Sequence, residues 1–310
     1  MTRVSNDTGR AFEYAIAKKL AKYLESKKIL FSFTTRAQKD NQRDKQYFEQ
    51  LNEELKQDFS KAGDAAIKWM ISQNWFVNIK KINIDRMPDI TGVNASVVDI
   101  QLQIYNDKGL IFRNISLKNH HNALKHPRLP NLPFQCGINN PKISKLWREI
   151  NTNIWKQFYL EARKLDNTTN LFRELKVIDN KFIEQNLYKP LILAVINFLN
   201  QYANNPDSAS KYFKFLRGDK SNFFTIKNES NQILIKKFAE FKLPTQFKIK
   251  YPYNTLTTFM MEFDNGWRFT LRLHTASSEF FRNGKINEST KLDVLCENLD
   301  KVIEIDKVKK

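Results

Sequence analysis

Cysteine is almost absent from this chain: Cys136 and Cys296 are the only two among 310 residues. Two thiols make no disulfide framework, and by themselves they make no zinc site. Long apolar runs are missing as well. No stretch approaches the roughly 20 residues that a membrane-spanning helix needs. The opening MTRVSNDTGR lacks the apolar h-region of a secretory signal. These absences lead to the expectation of a cytoplasmic protein with reduced thiols and no membrane partner. No internal repeat or low-complexity tract is present. Acidic residues are few beside the basic ones, 33 Asp and Glu against 51 Lys and Arg, a formal net charge of +18.

Such an excess, with a pI near 9.7, sets up a long-range field that attracts polyanions. Nucleic acid comes first among them and an anionic membrane surface second. The apolar content is also substantial. Hydrophobic residues make up 41% and aromatics 13%, with 24 Phe, which argues for a packed core and against disorder. At 36.6 kDa the chain makes one large domain or two ordinary ones.

The local patterns alternate between helix and strand. Residues 5–8, SNDT, are all good helix caps. Phe12, Ile16, Leu20 and Leu24 follow at steps of four and predict a helix over about 9–27. Glu13 lies beside that apolar stripe, where a rim glutamate making helix salt bridges is the plain expectation. Residues 31–62 are strongly charged, helical in their second half, and 60–74 read as a further amphipathic helix. Val97, Val98, Ile100, Leu102 and Ile104 are strand formers of nearly alternating polarity, NDKG at 106–109 is a turn, and the strand resumes from Leu110 to Leu117. Helix-like stretches fill 142–202. Residues 203–250 read as basic and irregular, with KYFKFLRGDK interleaving bases and aromatics. A second hairpin covers 256–274, with DNG as its turn.

Side chains alternate across a strand. Asp99, Gln101 and Gln103 therefore share one face of the first hairpin's leading strand, and Asn114, Ser116 and Lys118 share one face of its return. Pairing brings Asp99 beside Ser116 and Lys118 at the hairpin's open end, at the edge of a half-buried sheet. One reading is an ordinary strand-end ion pair, common and weak. The other is phosphodiester hydrolysis. Asp99 and the carbonyl of Leu117 can hold a hard divalent cation, which polarises phosphate and acidifies water. Lys118 can orient that water or neutralise transition-state charge.

An aspartate followed at a distance by (D/E)-x-K on a hairpin resembles the signature of the PD-(D/E)XK nucleases. Three blocks resemble more closely the type II restriction endonucleases of the HaeIII type: SNDTGRAFEYA, ISLKNHHNALKHPRL and NGWRFTLRLHTASS. They span nearly the whole chain in the expected order. The resemblance implies an α/β protein (α+β, with a mixed sheet): a nuclease core over 1–135, a helical and basic DNA-binding region over 136–250, and a C-terminal β-hairpin, recognition element and tail over 251–310. It implies a Mg²⁺-dependent type II site-specific deoxyribonuclease that cuts double-stranded DNA at a short palindrome, GGCC for that family. A palindrome implies two active sites, from a homodimer or from sequential nicking. It also implies a cognate DNA methyltransferase acting on the same site without stable binding. Asp99 then matches the motif aspartate, Lys118 the motif lysine, and Glu13 a glutamate on the first core helix that faces the metal. Ser116 departs from the motif, standing where it has Asp or Glu. Glu13 then supplies the missing charge, or Gln101 or Gln103 an oxygen. Asp89, in MPD, is the alternative motif aspartate; Asp99 is preferred because it lies on the hairpin, across from the lysine's strand.

Three of the four histidines fall in residues 120–126. His121 and His126 are five apart and His120 and His121 adjacent, so neither pair has the spacing of zinc ligands on a helix. An HNH-type nuclease would use a histidine base, but a strand–turn–strand leading into a lysine fits that fold less well. Asn119, His120, His121, Lys125, His126 and Arg128 are expected as phosphate and groove contacts beside the scissile bond. For His126 and Arg128, helix C-terminal capping is the competing role. On the second hairpin Arg268, Thr270, Arg272 and His274 share a face, opposite Trp267, Phe269, Leu271 and Leu273. A two-stranded ribbon fits the major groove, where arginine reads guanine bidentately; the plainer alternative is a basic face that touches only phosphates. A non-catalytic nucleic-acid-binding protein with a structural Asp99–Lys118 pair remains the contrasting class.

Overall fold

The computed structural model describes residues 2–87, 97–120, 122–218, 222–238, 241–252, 255–297 and 303–310. The chain forms two compact units that interleave in sequence. One comprises Met1–Asn122, Lys220–Glu240 and Leu299–Lys310, the other Ala123–Asp219 and Phe241–Asn298. This division differs from three consecutive segments. The long connections that parallel strand pairing requires return late parts of the chain to the first unit.

That unit is a mixed sheet with helices. Along the chain come α1 (Thr2–Ser26), β1 (Phe31–Phe33), α2 (Thr35–Glu49), α3 (Glu53–Ser72), β2 (Ile79–Arg86), β3 (Ile100–Asn106), β4 (Gly109–Asn119), β5 (Phe223–Asn228), β6 (Gln232–Phe238) and the last strand, β13 (Ile303–Lys309). The sheet order is β1-β2-β3-β4-β5-β6-β13. The β1–β2 and β4–β5 pairs are parallel and the others antiparallel. The first helix begins at Thr2, so SNDT lies inside it. Those residues cost an interior turn only tenths of a kcal/mol each and do not force a start. The helices of 35–72 break at Asn52, whose Oδ1 caps α3 by accepting from the Leu55 N–H at 2.9 Å. The predicted 60–74 helix is the second half of α3.

Phe12, Ile16, Leu20 and Leu24 are buried against Phe59, Ala62, Ala66 and Met70 of α3 and against Ile82, Ile84, Ile100, Leu102, Ile115, Ile226 and Ile235 of the sheet. Apolar burial of this kind, at roughly 25 cal/mol per Å² removed from water, fixes which face of each strand turns inward. It therefore sends Gln101 and Ser116 to the other face. In the NDKG turn Gly109 takes φ +116°, and the side chain of Asn106 accepts from the Lys108 N–H at 2.9 Å.

The second unit has helices α4 (Pro141–Leu165), α5 (Phe172–Ile178), α6 (Lys189–Asn200) and α7 (Pro206–Arg217). It also has strands β7 (Phe247–Lys250), β8 (Thr258–Phe263), β9 (Arg268–Thr275), β10 (Phe281–Arg282), β11 (Lys285–Ile286) and β12 (Thr290–Cys296). Trp147, Asn151, Trp155, Phe158 and Ala162 form the buried stripe of α4, and the Trp147 indole donates to the Leu129 carbonyl at 2.6 Å. The expected second hairpin is β8–β9, closed by a bond from the Phe263 N–H to the Trp267 carbonyl at 2.8 Å. It is not a free ribbon. It sits inside an antiparallel sheet of order β12-β9-β8-β7, because Leu292, Val294 and Phe247 extend the apolar face that Phe269, Leu271 and Leu273 begin. Residues 203–250, expected to be irregular, form α7 and strands β5 to β7. The aromatics of KYFKFLR are core residues of α7, with Phe213 packed on Phe263 and Trp267 at ring separations of 5.1 and 5.6 Å.

Candidate active site

The predicted hairpin exists as β3–β4, with Ile100 opposite Ile115 and Gln101 opposite Asn114. Asp99 immediately precedes β3, and its N–H donates to the Ile115 carbonyl at 2.8 Å. Its Oδ2 accepts from the Leu117 N–H at 2.6 Å and from the Ser116 hydroxyl at 3.2 Å. Ser116, in the motif's second position, thus holds the aspartate. The hairpin was expected at a sheet edge, but β4 is central. The parallel partner β5, with Ser116 opposite Thr225 and Lys118 opposite Lys227, covers its outer side. Ser116 is accordingly fully buried.

Burial pushes the Asp99 carboxyl above its usual range. The Lys118 ammonium, the Leu117 N–H, the Ser116 hydroxyl and the Arg86 guanidinium all oppose that shift. Glu13, from α1, faces the same spot. Burial pushes its carboxyl up to about 7 and the charge of Asp99 adds to the shift, while Arg86 pulls it down. Two half-buried carboxylates thus face one spot, and the charge of Asp99 raises the pKa of Glu13.

Arg86, at the end of β2, was not foreseen. It is 2% exposed and pairs with Glu13, with Asp44 of α2 at 2.7 Å, and with the Asn41 side chain at 3.2 Å. Asp44 in turn accepts from Nε of Arg43 at 2.6 Å. Neighbouring Asp85 takes a 2.5 Å bond from the Thr34 hydroxyl and pairs with Arg36. The sequence signal was weak, an arginine closing a charged strand and an aspartate in a charged helix. Asp89 and His121 lie outside the described residues.

Beyond Lys118 in the first unit, Asn119 accepts from the Asn228 side chain at 3.1 Å. His120 is exposed, takes φ +59° and donates its N–H to the Asn228 carbonyl at 3.2 Å. The other expected DNA contacts belong to the second unit. Arg128, Arg268 and Arg272 are exposed, and Arg272 stands between Thr258 and Asp293 on the polar sheet face. Lys125 differs from expectation. It is buried, with its ammonium 4.0 Å over the Phe215 ring, so its charge is held by a cation–π contact rather than offered to phosphate. His126 and His274 both approach Asp293, at 2.5 and 2.9 Å. Asp293 was also missed, because nothing local marks it.

A mixed sheet flanked by helices, with a central hairpin of this kind, is compatible with a restriction-endonuclease-like α+β fold. The profile of the HaeIII restriction endonuclease family matches residues 9–241, and the chain belongs to that family. It is 24% identical over 306 residues to the type II restriction enzyme HaeIII of Haemophilus aegyptius, covering 90% of this chain and 91% of the relative. Among the described residues no helix is long and apolar enough to cross a membrane.

Proposed function

We propose that this chain is a Mg²⁺-dependent type II site-specific deoxyribonuclease that hydrolyses double-stranded DNA at a short palindrome, GGCC by family resemblance. The observation that carries the reading is the Asp99 carboxylate, fixed across the hairpin by Leu117 and Ser116, with Lys118 acting on it and Glu13 facing it. A structural ion pair has no need of a second carboxylate facing it. The donor set suits a hard cation: two carboxylates whose pKa values are raised, plus the Leu117 carbonyl. In a strand the C=O of a residue lies on the same side as its N–H, and the Leu117 N–H points at Asp99. Asp99, Glu13 and Leu117 would hold Mg²⁺, which supplies Lewis acidity to the phosphate and its attacking water. The protein's own part is to keep Asp99 ionised and aimed, to hold Glu13 through Arg86, and to place the Lys118 ammonium where charge develops on the phosphate.

In the proposed scheme two active sites meet the palindrome, through a homodimer or two successive nicks, and a methyltransferase acting on the same sequence protects host DNA. The direct test is digestion of phage DNA with the protein and Mg²⁺. Discrete bands are expected, none with EDTA, and none with Asp99→Ala, which is expected to bind DNA as well as or better than wild type. Retention of DNA without any cutting by the wild-type protein in Mg²⁺, Mn²⁺ or Co²⁺ would leave only a binding protein.

A further inference from the structure

The second unit holds a constellation that the nuclease reading does not use. Residues 124–128 run antiparallel to β12. The Leu124 N–H donates to the Val294 carbonyl at 2.8 Å, the Val294 N–H to the Lys125 carbonyl at 3.1 Å, and the Leu292 N–H to the Pro127 carbonyl at 2.9 Å. On its other side β12 pairs with β9, with Asp293 opposite Arg272 and Lys291 opposite His274. Three adjacent backbones therefore place His126, Asp293 and His274 side by side. Their ligand atoms all lie within 4.8 Å of one another.

The hydrogen bonding of His274 shows what the cluster lacks. Its Nδ1 is 3.0 Å from the Thr275 carbonyl oxygen. A carbonyl only accepts, so Nδ1 carries a proton. Its Nε2 then faces Oδ1 of Asp293 at 2.9 Å, and an ionised carboxylate also only accepts. That nitrogen is sealed from solvent and makes no aligned hydrogen bond. In the neutral imidazole, a lone pair confronts a carboxylate lone pair. The same Oδ1 is approached by Nδ1 of His126 at 2.5 Å. An imidazole anchored through one ring N–H to a backbone carbonyl, with its other nitrogen aimed at a shared centre, is the usual support of a metal-binding histidine.

We propose that His126, His274 and Asp293 form a binding site for a divalent transition metal of the zinc class, with a further coordination position left to water. Two imidazoles and one carboxylate favour zinc, cobalt or nickel over magnesium. In a tetrahedral site with bonds of about 2.0–2.1 Å the ligand atoms stand roughly 3.3 Å apart, so small side-chain rotations open the triangle to admit the ion. The metal fastens residues 124–128 to β12 and β9. The ligands come from positions 126, 274 and 293, which explains why no local spacing announced the site.

The test is a Co²⁺ titration of the chelator-treated full-length protein carrying Asp99→Ala, which removes the principal carboxylate of the other candidate centre. One equivalent of Co²⁺ is expected to bind with the strong visible absorption of a four- or five-coordinate, nitrogen-ligated ion. One equivalent of Zn²⁺ should displace it and excess Mg²⁺ should not. X-ray absorption of the Zn²⁺-loaded wild-type chain is expected to show imidazole scattering, a readout that needs no variant. The exchange His126→Gln, on an exposed side chain, is expected to weaken Co²⁺ binding by about 100-fold or more, beyond the 10–100-fold typical of losing an outer-shell partner. A cobalt spectrum unchanged in a His126→Gln/His274→Gln double variant overturns the proposal. So does an all-oxygen shell around zinc, or the absence of saturable binding at millimolar Co²⁺, any of which would leave the cluster a histidine–aspartate ion-pair triad.

Discussion

Lys118 and Glu13 stand against the same carboxylate and are expected to fail differently. The Lys118 ammonium holds Asp99 toward its ionised form, and in the proposed reaction it neutralises charge that develops on the phosphate. On that reading, replacing it with Met removes one charge-assisted contact, a loss of the order of 10²–10³ in rate. Single-turnover cleavage is expected to fall by that factor while DNA affinity changes by less than about tenfold; a proportional fall in both would mark a phosphate clamp. In the proposed metal site Glu13 brings the second charge that Ser116 cannot supply. Glu13→Gln is expected to raise the Mg²⁺ concentration needed for half-maximal cutting several-fold or more, with the fold intact by circular dichroism. An unchanged metal titration would return Glu13 to a purely structural pair with Arg86.

At the scale of elements, Arg86 ties β2 to α1 and α2 through Glu13 and Asp44. Substituting one partner of a buried ion pair leaves the remaining charge uncompensated, which typically costs about 3–5 kcal/mol. Arg86→Met is therefore expected to lower the urea midpoint by that equivalent at unchanged slope, and to cut activity because Glu13 loses its guide. A shift under about 1 kcal/mol would show that Asp44 and Glu13 find other partners. The same network illustrates what a sequence displays. The two hairpins were legible because turn signals and alternation are local, and with β3–β4 came the juxtaposition of Asp99, Ser116 and Lys118. Arg86, Asp44 and Asp293 were not, since a lone charge in an amphipathic segment looks solvated until a distant element buries it. The parallel partner of β4 starts at Phe223, more than a hundred residues on. The pattern of β4 alone could not distinguish a central strand from an edge. KYFKFLR misled for the opposite reason: bases interleaved with aromatics suit a nucleic-acid surface and equally an amphipathic helix whose aromatics are core.

On the scale of the whole molecule, a net charge of +18 can supply affinity for DNA but not discrimination, since phosphates are alike in every sequence. Discrimination requires side chains that reach base edges. The sheet β12-β9-β8-β7 exposes Arg268 and Arg272 on its polar face, with Lys248 exposed on the outer strand β7. If Arg272 reads a guanine, Arg272→Ala is expected to weaken binding to a GGCC duplex by about 1–3 kcal/mol, the value of a bidentate base contact. A scrambled duplex should lose much less. If Lys248 contacts only phosphate, Lys248→Ala is expected to weaken both duplexes alike and to reduce the slope of log affinity against log salt by about 0.9, one counterion. Affinities of both variants for both duplexes across a salt series, in Ca²⁺ to prevent cutting, separate the two roles. Equal losses for Arg272→Ala on both duplexes, with a slope change of one counterion, would make the sheet a backbone grip and move the reading of bases to other residues, with Arg128 the next to test.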